Sequence, residues 1–330
     1  MRKIRVAQIG TSCNSHGNFI WKALTQNPDV FDIAGYAFPE QEQEKFPKHA
    51  EKFAGYRQLT VDQILADPTI EAVVIETEEL YLTKYALLAA KAGKHIHMEK
   101  PGGIDPVAFR ELIDTMKSTG KIFHTGYMYR YNPVFQDVQK RIAAGELGEI
   151  VSVEAQMNCN YPEDKRQWLD KFPGGMLFFL GCHLIDLVLL LQGSPKRIIP
   201  MSKATGLEGT TATDFGMAAL EYDRGWSFVK TTACEIGGYQ RRQLVISGTK
   251  GTIELKPFEI MEGSLHRTRK TEYFSGSWRH VGTSQTSPTF DRYAPMMVSF
   301  AQMVAGEREN PWSYDYELQL YETIHQCCKA

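Results

Sequence analysis

The segment IRVAQIGTSCNSHGNFIWKALTQ (residues 4–26) decides the fold. Its first seven residues are an apolar run that ends in Gly10. A short polar turn follows, and from Gly17 the apolar residues Phe19, Ile20, Ala23 and Leu24 fall on one face of a helix. A strand, a glycine turn and a helix in that order predict the first unit of a nucleotide-binding sheet. The same alternation continues. FDIAGYAF (31–38) reads as a strand, and TVDQILADP opens with Thr60 and carries Gln63 three residues on, a capping box. EAVVIET (71–77) reads as a strand buried on both faces, and YLTKYALLAAKAG (81–93) as a helix stopped by glycine. KHIHMEKP (94–101) is a strand and a turn. DPVAFRELIDTMKSTG has Asp105 as N-cap, Pro106 in the first turn and Gly120 as stop, and KIFHTG (121–126) closes the series. Strands separated by helices of this length predict a parallel, doubly wound sheet with ligands at the carboxyl ends of its strands.

After residue 126 the order changes. A helix at 132–144 leads to the strand EIVSVEAQM and a polar loop at 158–173. GGMLFFLGCHLIDLVLLLQG (174–193) then reads as the most apolar helix of the chain. KRIIPMSKA, TDFGMAALEYD, WSFVKTTACE, RQLVISG and TIELK follow as strands without intervening helices, which indicates a mostly antiparallel sheet. Two helices end the chain. The expected fold class is α/β: a Rossmann domain (1–126) with a doubly wound parallel sheet, then an α+β domain (127–330) on a mostly antiparallel open sheet. A cleft is expected between them.

Composition narrows the function. Of 330 residues, 43% are apolar and 23% charged, with a net charge of −2. That balance offers no basic surface for nucleic acid and no polybasic membrane signal. The run Met176–Leu191 is interrupted by Gly181, His183 and Asp186, so no membrane span is expected. The N-terminal apolar run is too short for a signal peptide. The six cysteines form no CxxC pair and read as reduced thiols of a cytoplasmic protein.

Several side chains point to chemistry. In the loop after the first strand, Gly10, Thr11, Ser12 and Asn14 are candidates to cradle a cofactor phosphate, with Ser15 as a further donor; Ser12 stands where a second glycine is usual. The second strand ends in Phe38 rather than an acid, with Glu40 two residues on and no arginine to receive a 2′-phosphate, so NAD is expected before NADP. His95 and His97 share a strand face, but no third ligand lies at a recognisable spacing and no metal is expected. Glu99 and Lys100 close a central strand, where a lysine can donate to a sugar hydroxyl or move a proton. His183 and Asp186 sit three apart in the apolar helix, so Asp186 is either a partner for the imidazole or a tie for neighbouring loops. Phe179, one turn earlier, would desolvate the ring and favour its neutral form.

Four ordered motifs carry a resemblance across the chain: EKP (99–101), GYMYRYNP (126–133), the helix from Gly174, and ISGTKGTIEL (246–255). Together they resemble the Gfo/Idh/MocA family of NAD(P)-dependent oxidoreductases. The resemblance implies a hydride transferred between a nicotinamide and a hydroxyl or keto carbon of a sugar, inositol or glycoside. Lys100 and His183 would be catalytic. Thr77, Phe38, Glu99 and Lys100 would join the glycine loop at the cofactor, and Met128, Arg130, Tyr161, Trp168, Phe179 and His183 would line the substrate. Arg166 is a further candidate contact. A homodimer or homotetramer would form through the open sheet. The chain departs from the family pattern at Phe179, where the helix motif has aspartate, and at Glu78, where proline follows Thr77. Two alternatives follow from those departures: a non-catalytic nucleotide- or sugar-binding sensor or scaffold, or an NAD-recycling glycosidase.

Overall fold

The computed structural model describes residues 2–329, which fall into two compact units. The first takes the chain up to Met128 together with Tyr293–Tyr321; the second takes Tyr129–Arg292 and the chain from Glu322. The stretch 293–321, expected with the second domain, therefore belongs with the first. The reason is packing. Tyr314, Leu318 and Tyr321 join the apolar cluster under the first sheet, and Tyr321 stacks on Phe109 with ring centroids 3.9 Å apart. Hydrogen bonds from Asn310 to the Phe123 carbonyl and from Tyr314 to the Lys121 carbonyl tie the same stretch to the sheet edge.

The first unit is built on five parallel strands: β1 (Ile4–Ile9), β2 (Phe31–Ala37), β3 (Ala72–Ile75), β4 (His95–Met98) and β5 (Phe123–Thr125), in the order β2-β1-β3-β4-β5. A single parallel bridge between Tyr36 and Gln58 extends the β2 edge. The strand order reverses between β1 and β3, so the ligand position of such a sheet lies at their carboxyl ends. Gly10 stands there with φ +94°, and a Cβ on it would lie 2.4 Å from the Thr77 nitrogen. Only glycine allows the two strand ends to come this close. The capping box at Thr60 and Gln63, the Asp105 N-cap and the left-handed Gly120 stop form as the sequence predicts.

The second unit carries an eight-stranded sheet. Its strands are β6 (Ile150–Gln156), β7 (Arg197–Pro200), β8 (Phe215–Tyr222), β9 (Gly225–Thr232), β10 (Gln243–Gly248), β11 (Thr252–Leu255), β14 (Arg269–Tyr273) and β15 (Thr283–Thr286). Their order is β15-β14-β11-β10-β6-β9-β8-β7, antiparallel throughout except where β6 meets β9. β12 (Ile260–Glu262) and β13 (Leu265–Arg267) form a separate hairpin. The loop expected at 158–173 contains a short helix, Glu163–Trp168.

The apolar helix starts differently from a regular one. Leu177–Gly181 form a π-helical turn, and the α-helix proper runs Cys182–Gln192 against β6 and β9. Asp186 is not placed as a partner for His183. Arg130 grips it, donating from Nε at 2.9 Å to Oδ2 and from Nη2 at 2.8 Å to Oδ1, and both side chains are 1% exposed. A bidentate guanidinium–carboxylate pair satisfies both charges inside an apolar layer; removing one partner strands the other. Asp186→Ala is therefore expected to lower unfolding stability by about 3–5 kcal/mol, read from urea denaturation. An unchanged midpoint would contradict a structural role for the pair.

Candidate functional site

In the first unit the predicted loop residues gather at the carboxyl ends of β1 and β3. Thr11, Ser12 and Thr77 are fully buried around Gly10. The amides of Thr11 and Ser12, however, are already engaged. The Thr11 N–H donates at 2.8 Å to Oε2 of Glu42, and the Ser12 N–H donates at 3.1 Å to the Glu76 carbonyl. The Asn14 N–H bonds the Ser12 hydroxyl and the Gly17 N–H bonds the Ser15 hydroxyl, each at 3.1 Å. The first amides of the helix Gly17–Thr25, those of Phe19 and Ile20, return to the His16 carbonyl.

Glu42 was not visible as a site residue in the sequence, where it is one of several glutamates in EQEQEKF. The fold gives it a distinct place. Its side chain is fully buried, and its second oxygen accepts from the Glu78 N–H at 3.1 Å. Burial is the main cause that pushes its carboxyl up to about 8, and the two amide bonds pull it partway back. Glu76 is also fully buried, and a Cβ on Gly17 would lie 3.2 Å from its Cβ, so its side chain runs beneath the start of the first helix. Burial, and then the neighbouring Glu99 and Glu79, hold Glu76 well above the ordinary carboxylate range.

Lys100 ends the turn after β4, is 2% exposed, and has its Nζ 3.6 Å from Oε1 of Glu99. His16, which the sequence reading passed over, places Nδ1 3.0 Å from the same oxygen. Burial alone would raise Glu99; the His16 ring and Lys100 outweigh it and bring Glu99 below the usual value. Lysine, glutamate and histidine thus meet at one strand end, with Lys100 and Glu99 buried and His16 half-buried. His97 places its ring 3.7 Å from Glu76 and shares an Nδ1–Nδ1 contact of 2.7 Å with His124; burial lowers its pKa to about 4, so the ring is neutral at physiological pH. Among the described residues no group of three or more His, Cys, Asp or Glu side chains is arranged to hold a metal.

Phe38 is half-buried at the end of the second strand. Its ring packs on Tyr36 at 4.6 Å and Phe53 at 4.9 Å, and Glu40 turns away to accept from Lys84 and from the Tyr85 hydroxyl. A dinucleotide diphosphate needs donors at this loop and tolerates no competing carboxylate. As placed, the Glu42 carboxyl group takes the Thr11 amide and the Glu76 carbonyl takes the Ser12 amide, so a dinucleotide would have to displace Glu42 to use the Thr11 donor.

In the second unit, His183 is 1% exposed and meets the edge of Tyr129 with centroids 4.9 Å apart. Phe179 lies in the π-helical turn. Its ring packs edge-on against Trp168 at 5.1 Å and alongside Phe172 at 6.2 Å, with Lys165 over its face. Phe179 thus packs within an aromatic group with Trp168 and Phe172. Lys165 also lies 4.5 Å from the Tyr161 ring, so Tyr161, Trp168 and Phe179 do come together. Arg166 is buried on Asp214, Glu208 and Cys234, and Arg130 on Asp186; both guanidinium groups serve ion pairs. Met128 is buried at the end of the first unit. A further group lies behind Tyr129: its hydroxyl and Arg242 both donate to Glu259 Oε2, at 2.7 and 2.5 Å, and Arg292 pairs with the other oxygen. Arg292 and Arg242 overcome burial and hold Glu259 down at about 2.

A parallel sheet with a glycine turn at its switch point, followed by a helix and an open antiparallel sheet, defines a two-domain oxidoreductase of the dinucleotide-fold class. The chain belongs to the Gfo/Idh/MocA family. Residues 4–127 match the profile described as "Oxidoreductase family, NAD-binding Rossmann fold", and residues 135–254 match the GFO/IDH/MocA C-terminal domain. The family is NAD(P)-binding and includes sugar and inositol dehydrogenases. The chain is 26% identical over 215 residues to trans-1,2-dihydrobenzene-1,2-diol dehydrogenase of Bos taurus, covering 62% of each chain. It is 28% identical over 166 residues to an NADP(+) scyllo-inositol 2-dehydrogenase of Bacillus subtilis, covering 50% of this chain and 46% of the relative. The matched stretch thus spans less than two thirds of these relatives' length. A levoglucosan dehydrogenase solved with NADH and levoglucosan shares the fold with a TM-score of 0.79 at 18% identity, covering 98% of this chain and 96% of that one. Among the described residues no helix is long and apolar enough to cross a membrane.

The raised Glu42 carboxyl has a sign that can be tested. A folded value above the ordinary 4.5 means the folded chain binds the proton more tightly than the unfolded one. The stability from this group is fully present below pH 4.5 and is lost as pH rises through about 8. Wild type should therefore gain stability relative to Glu42→Gln on moving from about pH 8.5 to about pH 5, read from paired thermal melts. A difference that does not change with pH would contradict a buried, proton-holding Glu42.

Proposed function

We propose that the chain is an oxidoreductase acting on a CH–OH carbon of a sugar, inositol or glycoside, with NAD preferred to NADP as the family's redox partner. The observation that carries this reading is Lys100, buried at a strand end beside Glu99, which His16 in turn holds. A lysine whose counter-charge is fixed in this way has its ammonium group oriented before substrate arrives, and can donate to a hydroxyl or carbonyl oxygen. His183, set against Tyr129, is the second proton-handling group, and Tyr161, Trp168 and Phe179 offer aromatic faces to the apolar side of a ring. The named relatives act on diols, inositol and an anhydrosugar, all with a hydroxyl on a ring carbon, and that chemistry is assigned here to this chain. The remaining elements of the proposal are a homodimer or homotetramer assembled through the open sheet and a cytoplasmic place of action.

A second reading is binding without turnover, as a sugar-binding sensor or scaffold. The carboxylate of Glu42 on the loop amides favours it.

The purified protein, denatured and examined by mass spectrometry, is expected to release NAD(H) or NADP(H) or to acquire it on incubation; absence under both conditions would remove the enzyme reading. Where turnover of a sugar or inositol is found, Lys100→Ala should lower kcat by about 10²–10⁴-fold, measured on folded protein. Unchanged kcat would take Lys100 out of its assigned role.

A further inference from the structure

The departures from the family pattern in the first unit are not scattered. Phe38 and Glu78 build one feature together with Glu40 and Glu42. Glu42 needs two donors to be held where it is, and the second is the Glu78 N–H. A proline at 78 would have no N–H to give. The backbone at Glu78 has φ −53°, which proline would also adopt, so the glutamate is not required by the turn; what it contributes at this point is a donor. Lys45, three residues after Glu42, pairs with the Glu78 carboxylate at 3.2 Å and fastens the same segment from the side.

The segment from Phe38 to Lys45 is anchored along its length. Phe38 is fixed in the aromatic group of Tyr36 and Phe53, and Glu40 accepts at 2.6 Å from Lys84 and at 2.7 Å from Tyr85. Between these anchors Glu40 and Gln41 both take the left-handed conformation, with φ +56° and +60°. Side-chain-bearing residues adopt it in succession only where surrounding contacts compel it. The consequence is to turn the chain sharply and deliver Glu42 onto Thr11. Beneath it, Glu76 runs under the first turn of the helix Gly17–Thr25, where a phosphate would otherwise be drawn.

We propose that Glu42 closes the dinucleotide cradle: the folded chain holds its own carboxyl group on the Thr11 and Glu78 amides, and NAD(H) or NADP(H) binds only by displacing that group, at a cost in affinity. The proposal rests on reading the loop at Gly10 as the family's cofactor cradle. A diphosphate and the Glu42 carboxyl group compete for the Thr11 amide, and an ionised Glu42 would also repel the incoming charge. Closure of this kind makes cofactor affinity a property of the 38–45 segment rather than of the glycine loop alone.

The test is direct titration of the full chain with NADH and with NADPH, followed by tryptophan fluorescence and calorimetry. Wild type, Glu42→Ala and Glu78→Pro are compared, each checked by thermal melt. Both variants are expected to bind at least one of the two nucleotides about tenfold or more tightly than wild type, Glu78→Pro because it withdraws one donor from Glu42. Wild type binding as tightly as both variants would overturn the closure and leave the oxidoreductase reading standing. No binding by any of the three at millimolar nucleotide would overturn both. If Glu42→Ala does not fold, Glu78→Pro decides alone: a tenfold gain supports the closure, and unchanged affinity overturns it.

Discussion

One buried carboxyl group, that of Glu42, bonds the amides of two residues at the ends of adjacent parallel strands, Thr11 after β1 and Glu78 after β3. This contact sits at the point where the strand order reverses, which is where a sheet of this kind presents its ligand surface. Gly10 sets the closeness of the two strand ends, since any side chain there would strike the Thr77 backbone. Glu42 then determines what the amides at those ends can do. A carboxyl group buried at this depth is tolerable only because donors meet it, and the proton it retains reduces the charge that burial would otherwise penalise.

The fold was legible because each local signal agreed with the next. Alternating apolar runs, the Thr60–Gln63 capping box, the Asp105 cap and the glycine at 120 all act over a few residues, and all formed. The antiparallel character of the second sheet followed from strands that succeed one another without helices. The tail is where this reasoning stopped short. Tyr314, Leu318 and Tyr321 show a helical pattern, but pattern alone does not say which core they complete, and they complete the first one.

The candidate site was less legible, for a similar reason. Lys100 and His183 stand at positions that motif order marks. Glu42, Glu76 and His16 acquire their roles from contacts across tens of residues: Glu42 meets an amide 31 residues earlier, and His16 meets a carboxylate 83 residues later. No spacing encodes such a meeting. Phe179 and Asp186 were visible as unusual residues, yet their partners were not. A π-helical turn rotates Phe179 toward Trp168 and Phe172, and Asp186 satisfies Arg130 instead of the imidazole. In both cases the partners come from distant parts of the chain, which helical spacing does not encode.

The chain therefore keeps the architecture of its family while rearranging the polar chemistry at the centre of its first unit. Amide hydrogen exchange, resolved by mass spectrometry at Thr11 and Glu78 and compared between wild type and Glu42→Ala, measures the contact on which this depends. Both amides are expected to be strongly protected in wild type and to exchange much faster in the variant, with the neighbouring strand β3 unaffected. Equal exchange rates in the two proteins would show that Glu42 does not hold these amides and would contradict the closed cradle.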